Sequence, residues 1–383
     1  LEADDGMASI GPSESHRRVT LRTISGKVIA ALAVCIPVLL PGLGSVFSPA
    51  RAHASEITTT GYGPWEGGCR SSRYFRSCPA GRLWFGAGIL GWSVKSSRAL
   101  PPLATVSPAG TPLTEAGVLG EPTTRVVFGA KPLFGDTRVG GQIRGGWWFD
   151  RAQTIGIEAS YFAIDGENVE YVRSGNQNVL ARPFFNLQSG QQEARLIAFP
   201  ATNVSGDIVE FDGGLDASIG MEFSGGDVIF RRLISGSSNH RIELAAGYRH
   251  LYLNDDLTVI EEINSATQQP TATILEVGRL TDKLQTTNRF HGAEIGFIAN
   301  QWWERLSVQG VFKLGIGGTS SRSDVRGRTE TTVTTIPAVG VPTSASFVSP
   351  TGFLAQPSNI GTVVENRFAV ATELQLNLEY ALN

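Results

Sequence analysis

Apolar and polar residues alternate one by one through several long segments of this 383-residue chain. Between Arg367 and Tyr380, the even-numbered positions are mostly large and apolar, whereas the odd-numbered positions are polar or small. Successive side chains of a β-strand point to opposite faces, so each such segment has one apolar and one polar face. The same alternation runs through residues 155–161, 209–223, 242–249 and 305–316, with further strands predicted at 82–92, 137–149 and 286–299. The pattern predicts an all-β protein.

Strand length and loop length separate a membrane barrel from a soluble sandwich. The predicted strands have 12 to 16 residues, against about five or six in ordinary globular sheets. Their connections alternate between short turns (150–153, 235–240, 300–303) and long loops (93–136, 164–205, 254–285, 318–365). Transmembrane barrels have short periplasmic turns and long extracellular loops. We therefore expect an up-and-down antiparallel transmembrane β-barrel of about eight strands. Ten to twelve strands become the alternative if Ser224–Asp227 forms a turn rather than a bulge.

Aromatic residues concentrate at the predicted strand ends. Those on the short-turn side are Trp84, Phe85, Trp147, Trp148, Phe149, Trp302, Trp303 and Tyr380. Those near the opposite ends are Tyr161, Phe162, Tyr248, Tyr252 and Phe368. Aromatic belts at both edges of an apolar band mark the two membrane interfaces of outer-membrane barrels. This placement predicts an outward-facing aromatic belt at each end of the barrel.

The N-terminus has the three parts of a secretory signal peptide. Basic residues from His16 to Lys27 precede an apolar run that begins at Val28, and Ala52-His53-Ala54 follows. Prolines and glycines interrupt that run, whereas a transmembrane helix needs about 20 apolar residues. We expect a cleaved signal peptide at 1–54, a periplasmic segment at 55–80, and the barrel at 81–383. Cys69 and Cys78 predict a local disulfide in the periplasmic segment, because exported proteins commonly pair their cysteines.

The polar strand faces predict a charged barrel interior. Assigned inward by parity are Arg144, Glu158, Asp216, Glu243, Arg249, Glu294, Lys313 and Glu373, together with Arg305, Arg367, Asp212, Glu222 and Glu379. An eight-stranded barrel is just wide enough for side chains to fill it. Buried charges are costly unless they are paired. We therefore expect a filled, ion-paired lumen, whereas an open channel would need more strands.

The sequence contains little that favours catalysis or a cofactor. Gly86–Gly91 has dinucleotide-motif spacing but lies within a predicted strand, whereas that motif works at a strand-to-helix turn. His250 with Asp255-Asp256 is the only candidate acid–base group, and a hydrogen-bonded loop base is the simpler interpretation. No metal site, cofactor or catalytic residue is expected. The net charge of −3 also argues against nucleic-acid binding.

Several ordered motifs resemble a known family. They are ALPPLATVSP (99–108), GVLGEPTTRVVFG (117–129), GGWWFDRAQTIGIEASYF (145–162), LARPFFN (180–186), LIAFP (196–200), ELAAGYRHLYLNDDLTVIE (243–261), NRFHGAEIGF (288–297), FLAQPSNIG (353–361) and NRFAVATELQLNLEY (366–380). In this order they resemble the planctomycete outer-membrane β-barrel protein family seven over nearly all of residues 80–383. The resemblance implies an outer-membrane barrel with packed loops, and it brings no catalytic residues.

Three functions remain open on the sequence alone. We expect a structural or surface-interaction protein that displays ordered extracellular loops above a filled lumen. The alternative is a porin-like channel for small solutes, and a remote alternative is an outer-membrane hydrolase. Outer-membrane lipid and the barrel assembly machinery are the expected partners, although Ala381-Leu382-Asn383 follow the aromatic Tyr380 where assembly signals usually end. The sequence does not identify a ligand for the loops.

Overall fold

The computed structural model describes residues 23–28, 52–55, 82–94, 100–130, 137–175, 177–304 and 306–380. Every helix-or-strand element in these ranges is a β-strand, and the strands form one antiparallel sheet. Within the same ranges, no helix is long and apolar enough to cross a membrane. The all-β prediction is confirmed. The strands are β1 Thr23–Val28, β2 Ala52–Ser55, β3 Leu83–Val94, β4 Ala104–Ser107, β5 Arg125–Phe128, β6 Thr137–Trp148, β7 Ile155–Ser174, β8 Val179–Asn186, β9 Gln191–Val204, β10 Asp207–Asp212, β11 Gly214–Gly236, β12 His240–Gln268, β13 Ala272–Trp302, β14 Leu306–Pro337, β15 Thr343–Ser349 and β16 Gly361–Tyr380.

Eight long strands form an up-and-down meander. Their order across the sheet is β3, β6, β7, β11, β12, β13, β14 and β16, and each is antiparallel to the next. The sheet curls, because side chains from all eight strands line one internal cavity. β2 extends the edge at β3 and β1 extends the edge at β16, and no ladder among the described residues joins β3 to β16. The predicted count of eight principal strands is confirmed.

The structure corrects several strand boundaries. Ser224–Asp227 is not a turn, because β11 runs straight through it with continuous pairing to β12. The segment 254–285 is not a loop either, since β12 and β13 extend through it and only residues 269–271 connect them. Residues 209–223 belong to two strands, β10 and β11, that separate at Gly213. Alternation alone could not place these boundaries, because the period of two persists from the membrane part of a strand into its soluble part, although the apolar face changes sides.

The long strands reach far beyond a bilayer. β14 has 32 residues, which corresponds to about 100 Å at about 3.3 Å per residue. A bilayer has a hydrocarbon core of only about 30 Å. We call the end with the short connections (149–154, 237–239 and 303–305) the turn end and the opposite end the cap end. A spanning strand needs about 9–11 residues, so most of β12, β13 and β14, with 29, 31 and 32 residues, lies on the cap side of any membrane that the sheet crosses.

The two faces of the sheet exchange polarity part of the way along the strands. Near the turn end of β13, Phe297 faces outward and is 49% exposed, whereas Glu294, three residues away, faces inward and is buried. Further toward the cap end the outward side chains are charged, as at Lys283, and the inward ones are apolar, as at Leu280. The ladders of β13 with β12 and β14 have no register shift, so parity is preserved throughout. An apolar exterior surrounds the turn-end half, and a polar exterior surrounds the cap-end half.

The apolar exterior forms a continuous band, which we call the apolar band. It contains the exposed outward residues Leu83, Phe85, Ile89, Val139, Ile143, Ile155, Tyr161, Val228, Phe230, Ile242, Tyr248, Ile295, Phe297, Phe312, Ile316, Leu374, Leu376 and Leu378. A soluble protein rarely exposes so large a contiguous apolar surface. Lipid contact is the arrangement that makes this exterior favourable, because apolar side chains out and polar side chains in is the pattern of transmembrane barrels.

A packed domain covers the cap end. This cap consists of β4, β5, β8, β9, β10 and β15, together with the cap-end extensions of the long strands. Its core contains Leu103, Ala104, Val106, Phe128, Leu180, Ile197, Ala198, Leu215, Ala217, Ile219 and Val259. The loop motifs of the sequence therefore meet in one place, since LARPFFN and LIAFP both contribute buried residues to this core.

A buried ion cluster fastens the cap to the long strands. Arg182 of β8 donates to Asp282 of β13 at 3.1 Å and lies 3.4 Å from Glu261 of β12, and all three are at most 1% exposed. The other carboxylate oxygen of Asp282 accepts the backbone N–H groups of Leu354 and Ala355 at 3.0 and 2.9 Å. Gly352 allows this approach, because a Cβ there would lie 1.9 Å from Asp282 Oδ1. The motif FLAQPSNIG is thus tied to β13.

The exterior polarity predicts how the sheet responds to an added charge. We expect Phe297→Lys to destabilise the protein in a bilayer by about 2–4 kcal/mol relative to Phe297→Ala, because a cation would lie in hydrocarbon. Gln285→Lys, on the same outward face of β13 but in the polar half, should stay within about 0.5 kcal/mol of Gln285→Ala. Urea unfolding in phospholipid vesicles measures both differences. Equal costs at the two positions would contradict a lipid-facing apolar band.

Candidate functional site: the charged lumen

An internal cavity of about 290 Å³ lies within the turn-end half of the curled sheet. Its walls are inward-facing side chains of β3, β6, β7, β11, β12, β13, β14 and β16. The charged residues of the wall are Arg144, Glu158, Asp227, Arg231, Arg241, Arg249, Lys313 and Glu373. We call this cavity and the charged groups around it the lumen.

A central cluster of five charged groups crosses the lumen. Arg249 of β12 donates to Glu373 of β16 and lies 3.6 Å from Glu294 and 3.7 Å from Asp227. Lys313 of β14 donates to Asp227 at 2.7 Å and lies 3.9 Å from Glu294. All five side chains are at most 6% exposed. β13 and β14 lie between the strands of Arg249 and Glu373. Their contact therefore crosses the interior of the curled sheet and does not join two adjacent strands.

A second cluster lies closer to the turn end. Arg231 of β11 donates to Glu158 of β7 at 2.5 Å, and it also pairs with Glu243 of β12. Arg241 pairs with Glu243 and donates to the backbone carbonyl of Gln153. The guanidinium groups of Arg231 and Arg241 lie 4.9 and 5.1 Å from the ring centre of Trp148. Cation–π contacts of this kind add to the ion pairs and hold both arginines in place.

The charges of the lumen balance. Arg144, Arg231, Arg241, Arg249 and Lys313 supply five positive charges, and Asp227, Glu158, Glu243, Glu294 and Glu373 supply five negative ones. Removing one partner of a buried pair usually costs about 3–5 kcal/mol, because the other charge stays buried and unpaired. The three carboxylates of the central cluster lie within 4.8 Å of one another. Arg249 and Lys313 occupy the positions around them where a cation would bind, so we interpret the cluster as an ion-pair network.

An apolar layer separates the lumen from the cap. Leu90, Phe162, Ile164 and Met221 are buried together, with Phe223, Leu251 and Leu253 packed against them. The rings of Phe162 and Phe223 meet edge-on at 5.3 Å. Phe290, directly opposite Leu251 on the next strand, adds a further buried ring at the same level. Water and ions passing along the barrel axis would have to cross these side chains.

The structure brings most of the predicted lumen residues together. Arg144, Glu158, Glu243, Arg249, Glu294, Lys313 and Glu373 all lie on the inner face around the cavity. Asp216 does not, because on β11 it faces outward between the buried neighbours Leu215 and Ala217. The polarity exchange explains this, since the polar face is the outer face in the cap-end half. Asp212 lies in β10 and Glu222 is exposed, for the same reason. Arg367 of β16 is also exposed, with a 59% exposed side chain.

Sequence reasoning missed three charged residues of the lumen. Asp227, Arg231 and Arg241 carry much of the network. Extending the alternation of residues 209–223 would have placed Asp227 and Arg231 on the face of Phe223, which was expected to be the outer, apolar face. The alternation also stopped at the uncertain joint Ser224–Asp227, although the exposed Val228 and Phe230 mark the outer face beyond it.

The predicted turn-end aromatic belt divides into two groups. Trp147, Trp303 and Tyr380 face outward and are 48%, 53% and 47% exposed. Trp84, Trp148 and Trp302 instead line the lumen. Trp147 and Trp148 are consecutive in a strand, so they must face opposite sides. The assignment of the three inner tryptophans to the belt was therefore wrong, and their rings close the turn end of the cavity.

The histidine and aspartates that the sequence offered as an acid–base group lie apart in the structure. His250 Nδ1 hydrogen-bonds the backbone carbonyl of Phe290 at 3.0 Å, and the centre of its ring lies 4.5 Å from that of His291, with the two rings tilted by 32°. Asp256 is six residues further along the same face of β12, which is about 20 Å away. Asp255 points to the opposite face, so these residues do not form a catalytic pair. Cys69, Cys78 and Arg305 lie outside the described residues, as does most of the predicted signal peptide.

A half-buried acid lies between the apolar layer and the cap. Asp255 of β12 faces inward, and burial raises its pKa to about 6, with Asp256 adding to the shift and Arg138 opposing it. Arg138 of β6 is itself only 6% exposed. An ionised Asp255 is therefore a destabilising group at neutral pH, although it helps to neutralise Arg138.

The comparisons with known proteins show one family. A family model described as "Putative beta barrel porin-7 (BBP7)" matches residues 84–383. The matched region contains all eight long strands except the first residue of β3, together with the whole cap. A search of curated proteins and a search of solved structures each find no match.

The shifted acid predicts a pH dependence of stability. Between about pH 4 and pH 6 the folded protein retains a proton on Asp255 that the unfolded chain has released, so stability falls as pH rises through this range. Asp255→Asn should raise the free energy of unfolding by about 1–3 kcal/mol at pH 7.5 and have little effect at pH 4. Thermal unfolding in detergent at both pH values measures this difference. Asp216→Asn, an outward carboxylate on the neighbouring strand, is the control and should show no such pH-dependent gain.

Proposed function

Because the chain belongs to the beta barrel porin-7 family, we propose that it is an outer-membrane β-barrel with a filled lumen, and that its function resides in the cap outside the membrane. A porin family implies an outer-membrane location and a non-enzymatic role. The observation that carries the proposal is the contact between Arg249 and Glu373 across the lumen, beneath the layer of Phe162, Phe290 and Leu251. A barrel with this interior has a structural or surface-interaction role.

The cap supports the same proposal. It is a packed domain with its own apolar core and its own buried ion cluster at Arg182, Glu261 and Asp282. Mobile pore loops do not need such a core, whereas a surface that binds a partner needs a defined shape. The exposed exterior of the cap is the part of the protein that would meet the cell surface.

A porin-like channel is the second candidate. The family description and the 290 Å³ cavity favour it. Conduction would require the apolar layer to move aside and the ion pairs of the central cluster to open. The equal numbers of positive and negative groups would then give the lumen little preference for cations or anions.

Export and assembly complete the proposal. We propose that residues 1–54 are removed during secretion, that Cys69 and Cys78 pair in the periplasm, and that the barrel assembly machinery inserts the mature chain. Removal of 1–54 would take away β1 and most of β2, which leaves the edges of β3 and β16 available to each other. N-terminal sequencing of the membrane-extracted protein tests the cleavage, and a mature chain that begins before Ser55 would contradict it.

Electrical recording separates the two candidate functions. We expect the purified protein to show no steady conductance in planar bilayers, because the apolar layer and the ion pairs across the lumen block its axis. Arg249→Leu should lower the free energy of unfolding by about 3–5 kcal/mol, since it leaves Glu373 and Glu294 buried without this partner. Arg328→Leu removes an arginine that is 63% exposed, and it is the control with an expected change below about 1 kcal/mol.

Stepwise openings of the wild-type protein would refute the filled lumen and favour the channel. An increase in conductance in Arg249→Leu, with unchanged stability, would show that this residue guards a pore. Heat-modifiable migration on unboiled gels verifies that each variant is folded before it is recorded.

A further inference from the structure

The outward face of β13 and β14 becomes basic just above the apolar band. Going from the turn end toward the cap end, the first cationic side chain on the outer face of β13 is Arg289, and on β14 it is Arg322. Each is six residues from an apolar residue of the band, Ile295 or Ile316. This is about 20 Å of strand, or about 14 Å of height if the strands tilt by about 45°. Both arginines therefore lie where lipid headgroups end and water begins.

The two arginines are placed to hold one anion. Arg289 pairs with Ser320 in the ladder, and Arg322 is two residues beyond Ser320 on the same face. Such diagonal neighbours lie about 7–8 Å apart, within reach of two long side chains that converge on a single group. Arg289 is exposed and forms no ion pair with any described residue. Arg322 is 58% exposed and pairs with Asp324 at 3.6 Å, a carboxylate that it shares with Arg326 at 2.6 Å, so most of its guanidinium remains open to a further anion.

Aromatic groups border the pair on the membrane side. The guanidinium of Arg289 lies 5.8 Å from the ring of Tyr252. Next to it, Tyr248 hydrogen-bonds His291 on the outer surface. Amphipathic rings at the headgroup level are the usual companions of lipid contact. The basic pair thus continues directly into the lipid-facing surface.

The opposite side of the barrel has the reverse charge. On β7 and β11, the first charged side chains met above the apolar band are Asp165 and Glu222, and both are exposed. The whole chain carries a net charge of −3. The basic surface is therefore a local feature of β13 and β14, and a negatively charged lipid would be attracted to one side of the barrel only.

We propose that Arg289 and Arg322 form a docking site for the headgroup phosphate of a lipid with a net negative charge in the outer leaflet. Two guanidinium groups match the oxygens of a phosphate in charge and geometry, and Ser320, opposite Arg289 and two residues from Arg322 on the same face, offers a further hydroxyl donor. The lipid chains would follow the apolar band below, along Ile295 and Ile316. The site depends on the outer-membrane placement proposed above, and it would fix the orientation of the barrel relative to the headgroup layer.

The test measures which lipid the full chain retains. The protein is extracted in neutral detergent, offered equal amounts of phosphatidylglycerol and phosphatidylcholine, and analysed by native mass spectrometry. We expect the wild type to retain at least about five-fold more phosphatidylglycerol than phosphatidylcholine. Arg289→Gln/Arg322→Gln should lose this preference. Arg279→Gln/Arg328→Gln is the matched control, because it removes two diagonal cations from the same strands about 33 Å further along β13, and it should keep the preference.

Each other outcome overturns the site. The proposal fails if Arg289→Gln/Arg322→Gln retains phosphatidylglycerol like the wild type, or if the control variant loses it equally. It also fails if millimolar inorganic phosphate displaces the lipid completely, because the pair would then bind a soluble anion. Heat-modifiable migration is measured on the same samples, so loss of the barrel itself is recognised separately from loss of lipid.

Discussion

The exchange of polarity along the strands is the constraint on which the rest of the structure depends. A strand has only two faces, and a sheet that passes from lipid into water must reverse which face is apolar. In the turn-end half, Phe297 and Ile295 face out and Glu294 faces in, whereas further along β13 Leu280 faces in and Lys283 faces out. The ladder has no break at the change. One rigid sheet therefore forms both the membrane wall and the framework of the cap.

The interior changes from polar to apolar at the level where the exterior changes from apolar to polar. In the lipid-embedded half, the inward polar side chains have no bulk water, so they pair with one another in a charge-balanced network from Arg231 to Glu373. In the cap, the inward side chains are apolar, and only isolated charges such as Arg182 and Asp282 are buried there, each with a specific partner. The layer of Phe162 and its neighbours lies between these two interiors. The ion-paired interior and the apolar core of the cap together give a blocked barrel beneath a packed cap. This arrangement favours a surface role over free passage of solutes.

The outer surface also changes from apolar to charged where the sheet leaves the membrane. The apolar band ends near His291 and Gly318, and the next outward side chains on β13 and β14 include Arg289 and Arg322. On β7 and β11 the corresponding side chains are acidic, at Asp165 and Glu222. A barrel with this asymmetry presents different chemistry to the headgroup layer on its two sides, although the same band of hydrocarbon contact encircles it.

The amino-acid sequence by itself determined the eight strands of the meander and most of the lumen. Alternation is a local property, and the parity of Glu243, Arg249 or Glu373 does not depend on what lies across the barrel. The tertiary structure decided what parity cannot express. Asp216 lies on the polar face of its part of β11, as Asp227 does, but the polar face there is the outer one, because the sheet has already left the membrane at that point. Parity requires Trp147 and Trp148 to face opposite sides, but only the tertiary structure brings the arginines of β11 and β12 to the ring of Trp148. The meeting of Arg182 with Asp282, 100 residues apart, depends on how the loops pack over the extended strands, and no periodicity records that.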